Sequence, residues 1–224
     1  TSKGVSAVEA LVFTNYQMYR NVYWHHTVRS ATAMFKRSVQ DVLIHSSCQL
    51  RLHDFHGISE SELILMLREE QRRLGLEGAA QLLEGTIVRR LHKLGNFITP
   101  GERKRELLHF FYDLYRHPDK RRDKEQELGR IFGEQLEREM MGHEILIDIP
   151  SFNKSPEVDL KVFFGADIPG EKHDPLAFDD PEVSRLRDSL LMNFEDQAKI
   201  FRIFCVDDPE LRKLVRSQVK RHLN

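Results

Sequence analysis

Between Val5 and Ser46 the sequence contains neither proline nor glycine, so no residue in that stretch forces the backbone to turn. Periodicity then decides between helix and strand. Val8, Leu11, Val12, Met18, Tyr19, Val22, Tyr23, Ala31, Met34, Phe35, Val39, Val42 and Leu43 recur at three- and four-residue steps, which predicts one long helix. Its apolar residues are spread widely enough to imply burial on more than one side.

The polar stretch around Arg51 to Gly57 interrupts this pattern. Ser59-Glu60-Ser61-Glu62 then opens a second helix with a capping box, and Leu63, Ile64, Met66 and Leu67 supply its core face. A third helix is predicted from Gly78 to Leu94. A fourth begins at Pro100 and carries Leu107, Leu108, Phe111, Leu114 and Tyr115, and Pro118 breaks or kinks that pattern. Asp119 to Arg138 is densely charged, with Leu128, Ile131, Phe132 and Leu136 as its apolar stripe, and reads as a partly exposed helix.

The character changes at Gly142. The segments EILIDIP, DLKVFFG and AKIFRIFCVD are β-branched or alternating, which predicts strands near Glu144 to Ile149, Asp159 to Phe164 and Lys199 to Val206. A helical pattern, PEVSRLRDSLLMNF, lies before the last strand, and a final helix follows from Pro209 to Leu223. Gly165 to Asp180, with its prolines and glycines, is the expected mobile loop. The fold class is therefore mainly α with a C-terminal α+β module: a helical region over residues 1–141 and the module over 142–224.

Composition narrows the function classes. The chain is 40% hydrophobic and 31% charged, as a globular protein requires. Its 34 Lys and Arg against 35 Asp and Glu leave a net charge of -1, so no overall basic field recruits nucleic acid or an anionic membrane, and neither is an expected partner. The two cysteines, Cys48 and Cys205, are far apart and form no C-x-x-C pair, which fits a reducing compartment and makes the cytoplasm the expected location. No apolar run approaches the ~20 residues that span a bilayer. The phosphate-loop, dinucleotide, serine-hydrolase and zincin motifs are all missing from the sequence.

The chemistry concentrates in Asn15 to Arg29, where aromatics, imidazoles and arginines share a helix. At 100° per residue, Asn15, Tyr19, Val22, Tyr23, His26, Arg29 and Ser30 fall on one side. That side is too polar for ordinary core. Arginine and protonated histidine bind phosphate oxygens, tyrosine hydroxyls donate to them, and aromatic rings stack on bases, so one reading is a nucleotide or phosphate wall. The other is a helix buried at an interface, its polar groups bonded to neighbouring backbone. Spacing alone leaves both open.

The run GVSAVEALVFTNYQMYRNVYWHHTVRSATAM resembles the HD-domain phosphohydrolase superfamily, in the branch similar to deoxynucleoside triphosphate triphosphohydrolases. Weaker similarity continues through Ser59, Arg89 to Lys93 and EILIDIP. The resemblance implies the C-terminal half of a longer, metal-dependent enzyme acting on a nucleotide, with homo-oligomers expected. It places Tyr19, Tyr23 and His26 toward the substrate, with Arg20 and Arg29 as nearby basic candidates and Asn15 at a position expected to contact a phosphate. Where many relatives have an arginine before Tyr16, this chain has Asn15, which donates a hydrogen bond but brings no charge.

Metal ligands in this superfamily are a His, a His-Asp pair and a later Asp, all before the GVSAVEAL element. This chain is thus expected to hold no catalytic residue, metal or cofactor of its own and to be inactive alone, with a divalent metal in the intact parent. His53-Asp54 mimics the pair but sits after the long helix in a predicted loop, where turn chemistry accounts for it. The competing hypothesis is a non-catalytic helical module for oligomerisation or effector binding.

Overall fold

The computed structural model describes residues 2–46, 51–99, 102, 105–140, 142–151, 161–162, 176–177, 184 and 200–223. The expected long helix is interrupted. α1 (Ser2–Met18) passes into a π-helical turn over Tyr19–Tyr23, and after Trp24 and His25 the chain starts α2 (His26–His45). Backbone bonds mark the change: Trp24 N–H donates to Tyr19 C=O at 2.9 Å, five residues back. Neither glycine nor proline announces it, because a π turn widens the helix without requiring either.

The next signals are realised closely. In α3 (Glu60–Leu74) Ser59 Oγ accepts from Glu62 N–H at 3.3 Å and Glu62 returns a carboxylate oxygen to Ser59 N–H at 2.7 Å. Those bonds hold the Glu62 carboxyl below its usual range. Gly75, at φ 65°, closes the helix in a left-handed conformation that glycine adopts at little cost. α4 (Glu77–Ile87) is shorter than expected, and strand β1 (Lys93–Ile98) replaces the end of the predicted third helix. α5 (Arg105–Arg116) and α6 (Pro118–Gln135) meet at Pro118, which occupies the first position of α6, where its missing N–H costs nothing.

Of the three strands expected after Gly142, β2 (Ile145–Asp148) and β5 (Phe201–Cys205) form where predicted. The described part of the other is β3 (Lys161–Val162), antiparallel to β4 (Leu176–Ala177). β4 falls within the expected loop, whose remaining residues, like the PEVSRLRDSLLMNF helix apart from Ser184, lie outside the described residues. The last helix, α7 (Pro209–Gln218), ends in a 3-10 turn over Val219–His222. The molecule is mostly helical with a small three-stranded antiparallel sheet, as the composition of its segments predicted. Among the described residues, no helix is long and apolar enough to cross a membrane.

The chain divides into two compact units. One comprises Thr1–His25, Thr99–Gly101 and Pro150–Ile200. The other comprises His26–Ile98, Glu102–Ile149 and Phe201–Asn224. In the second, β5 is the central strand and pairs antiparallel with β1 on one side and β2 on the other, so the sheet draws on sequence from both sides of residue 141. Met34, Leu82, Leu146 and Phe204 form a core between α2, α4 and the sheet, and Val42, Leu67 and Leu83 form another where α2 meets α3 and α4. The Phe111 and Phe201 rings meet at 4.3 Å, seating α5 beside β5.

The pairing of β1 with β5 slips between Leu94 and Asn96, so Gly95 sits at a bulge. α7 approaches closely there: a Cβ on Gly95 would lie 2.5 Å from Val215 Cγ1 and 3.3 Å from Cys205 Sγ. Gly95→Ala is expected to destabilise the chain by about 1–3 kcal/mol through overpacking. The further change Val215→Ala should recover part of the loss. Urea unfolding of the two single variants and the double checks this, and strictly additive losses would contradict the packing account.

Candidate functional site

The aromatic segment is divided between the two units, so each part is described within its own. In the first, the Tyr19 and Tyr23 rings lie 5.3 Å apart on the π turn, one winding from each other. Tyr23 is 52% exposed, Asn15 and Arg20 are exposed and Tyr19 is half-buried. Tyr16 and Trp24 are buried, which places the aromatic anchors outside the set chosen at 100° per residue. Asn21 Nδ2 donates to Gln17 Oε1 at 2.9 Å. Because bonding five residues back advances the chain by less than 100° per residue, a face drawn at constant angle does not carry through Tyr19–Tyr23.

In the second unit, His26 is exposed at the start of α2. Arg29, expected among the substrate-facing side chains, is engaged by Asp148: Nε donates to Oδ2 at 2.8 Å and Nη2 donates to Oδ1. The two side chains are only 13% and 5% exposed. Asp148 is also the register partner of Arg202 across β2 and β5. Burial pulls the Arg202 guanidinium below its usual range; the Asp148 charge opposes that shift and the Arg29 charge adds to it. Ser30, on the same predicted face, is buried and donates to His92 C=O at 2.7 Å.

Sequence reasoning passed over two imidazoles, His92 and His143. They line a cavity of about 650 Å³ with Met34, Gln81, Glu84 and Arg90 among its other walls. The His143 carbonyl accepts from His92 Nε2 at 2.8 Å, and His143 Nε2 meets Gln81 Oε1 at 2.9 Å. Both acceptors are oxygens, so each Nε2 carries the proton and each Nδ1 is a lone pair. His143 can close on α4 only because residue 78 is glycine: a Cβ there would lie 2.7 Å from its Nδ1. The available signal was a pair of histidines beside apolar runs, RRLHKL and MGHEIL, and nothing local distinguishes those from surface histidines.

His53 and Asp54 form a 3.0 Å pair on a 3-10 turn, Leu52–Phe55, where the other Asp54 oxygen accepts from Arg51 N–H at 2.7 Å. His53 is largely exposed. Among the described residues no group of three or more His, Cys, Asp or Glu side chains could hold a metal ion. Cys205 is buried in β5, and burial pushes its thiol up to about 12, far from a reactive thiolate.

Residues 1–170 match the family described as the HD associated region, and the chain belongs to that family. It is also 33% identical over 72 residues to a protein of Methanocaldococcus jannaschii, Uncharacterized protein MJ1154. That match covers 32% of this chain and 16% of the relative, so the chain spans a small fraction of the longer protein. No solved structure matches the chain.

Two outcomes follow from this geometry. Burial lowers the His92 imidazole from its ordinary 6.5 to about 4, so an unfolded chain binds a proton between those values that the folded one does not. Stability should fall as pH drops from about 6.5 to about 4, by roughly 3 kcal/mol at the lower limit, and the fall should be shallower in His92→Gln. Denaturant titrations across that range test it; an unchanged slope in His92→Gln would contradict it. Arg29→Met should cost about 3 kcal/mol because it strips Asp148 of its bidentate partner. A melting temperature unchanged from the parent would show the ion pair to be dispensable.

Proposed function

We propose that this chain is the C-terminal region of a metal-dependent HD-superfamily phosphohydrolase that acts on a nucleotide, and that Asn15 to His26 contributes part of the wall met by the substrate phosphates. Membership of the HD associated region family supports the link to HD-domain proteins. The observation that carries the reading further is the solvent exposure of Asn15, Arg20, Tyr23 and His26 in a short, aromatic-rich segment containing a π turn. π turns are frequent at functional sites. Arg20 would grip a phosphate through its fork of N–H donors, Tyr23 would donate its hydroxyl, and His26 would add a hydrogen bond or, when protonated, a charge.

Among the described residues no group of three or more candidate ligands comes together, and the His53-Asp54 pair is tied to its own turn. In this reading the divalent metal belongs to the HD catalytic domain of the parent. This chain's residues bind and orient the phosphates.

The test uses the protein in which these residues accompany an HD domain. Tyr23→Phe and His26→Ala should each lower kcat/KM by the equivalent of about 1.5–3 kcal/mol, with the melting temperature nearly unchanged. Asn15→Arg should tighten triphosphate binding by adding a charge. If both Tyr23→Phe and His26→Ala lose several degrees of stability while activity per folded molecule is intact, the segment is structural.

A second reading, a helical oligomerisation or effector-binding module, is favoured by the exposure of Leu11, Phe13, Met18 and Val22, with Leu11 at 67%. Under it, Leu11→Lys should shift the sedimentation coefficient to that of a smaller species.

A further inference from the structure

Cations on α5, α6 and the segment that follows are interleaved with acids: Lys120 meets Asp113, Lys124 meets Glu127 and Arg138 meets Asp208. Helix α7 differs. Arg212, Lys213 and Arg216 line a concave pocket of about 350 Å³ together with Asp207 and Pro209. Arg212 and Arg216 stand one turn apart on the same side of the helix, about 6 Å along its axis, with Lys213 adjacent. Like charges at that spacing repel unless an anion lies between them.

The one carboxylate in the pocket is turned to another partner. Asp207 meets Lys93 Nζ at 3.5 Å, and among the described residues no ion pair engages Lys213 or Arg216. The cluster is nevertheless held in place. Arg212 Nε donates to Leu94 C=O at 3.3 Å, and Asn96 Nδ2 donates to Arg216 C=O at 2.8 Å, so strand β1 fixes the helix turn that carries the cations. Leu211 and Val215 are buried beneath it. The pocket runs along the helix from Pro209 at its start to Arg216 in its last turn.

We propose that this pocket binds a compact oligophosphate, an anion with two or more adjacent phosphoryl groups. Two guanidinium forks and an ammonium offer the donors and the charge that such an anion needs. The surroundings limit its size. Exposed Glu210 precedes the cluster in sequence and Glu102 already engages Lys220 after it, so the unpaired positive charge is a short cluster, not the extended stripe that a long phosphodiester chain or a flat anionic lipid surface would need. This site shares no residue with the segment assigned above to the nucleotide phosphates, and it stands or falls separately.

Calorimetric titration of the chain with inorganic pyrophosphate tests the proposal. One saturable site is expected, with affinity falling as salt rises, and orthophosphate binding about tenfold weaker. Lys213→Gln with Arg216→Gln should weaken pyrophosphate binding by at least about tenfold, with circular dichroism and melting temperature unchanged because both side chains are exposed. Lys120→Gln, a cation already paired on α6, should bind as the parent does. No saturable pyrophosphate binding, or binding lost equally in Lys120→Gln, would overturn the proposal. So would tighter binding of a single-stranded oligonucleotide or of phosphatidylserine vesicles through Lys213 and Arg216.

Discussion

The second unit is organised around a buried positive charge. Arg37, in the middle of α2, is 5% exposed, and its guanidinium donates to both Asp41 oxygens and to Glu125 of α6. The other Glu125 oxygen accepts from Ile147 N–H at 2.8 Å, tying the same carboxylate to strand β2. Burial pushes the Glu125 carboxyl upward in pKa, against the pull of the Arg37 charge. A charge taken out of water is tolerated only when partners replace its hydration. Helix α2, helix α6 and strand β2 therefore have to arrive together, and the alternative packings that would leave Arg37 or Glu125 alone are disfavoured. Asp41 extends the network outward: its side chain lies 3.5 Å from Arg122, and its backbone carbonyl meets His45 Nδ1 at 2.7 Å.

What the sequence made legible were features with local causes. The box at Ser59, the break at Pro118 and the β-branched runs of β2 and β5 each depend on a few neighbouring residues, and each lies where it was expected. β1 is not legible as a strand: the pattern carries the predicted third helix to Leu94 and assigns Gly95 to Ile98 to no element, because the six residues of Lys93–Ile98 contain a glycine and only three apolar side chains. It is a strand because β5 offers it a partner, a cause more than a hundred residues away. The π turn escaped for a different reason: Tyr19–Tyr23 keeps the apolar spacing of an α-helix while bonding one residue further back.

The candidate site divides along the same line. The density of aromatics and basic groups in Asn15 to Arg29 is a local property and could be seen in the sequence. What each side chain meets could not. Arg29 and Asp148 are separated by 119 positions, and His92 meets His143 across 51. No spacing rule joins such pairs, because the sheet and α2 bring them together only after both have formed. The Arg29 pair also shows why a polar helix face is ambiguous evidence: an arginine that looks available for a ligand can be consumed by a buried acid on a distant strand.

The strand order has a consequence for how the molecule is made. β5 lies between β1 and β2 yet follows both in the chain, and between β2 and β5 the backbone leaves for the other unit over Pro150–Ile200. During synthesis β1 and β2 must therefore wait, each with an open hydrogen-bonding edge, until Phe201–Cys205 has left the ribosome. Pairing at such separation closes long loops and is slow. For that interval two open strand edges are exposed, a window in which pairing with other chains competes with the native sheet.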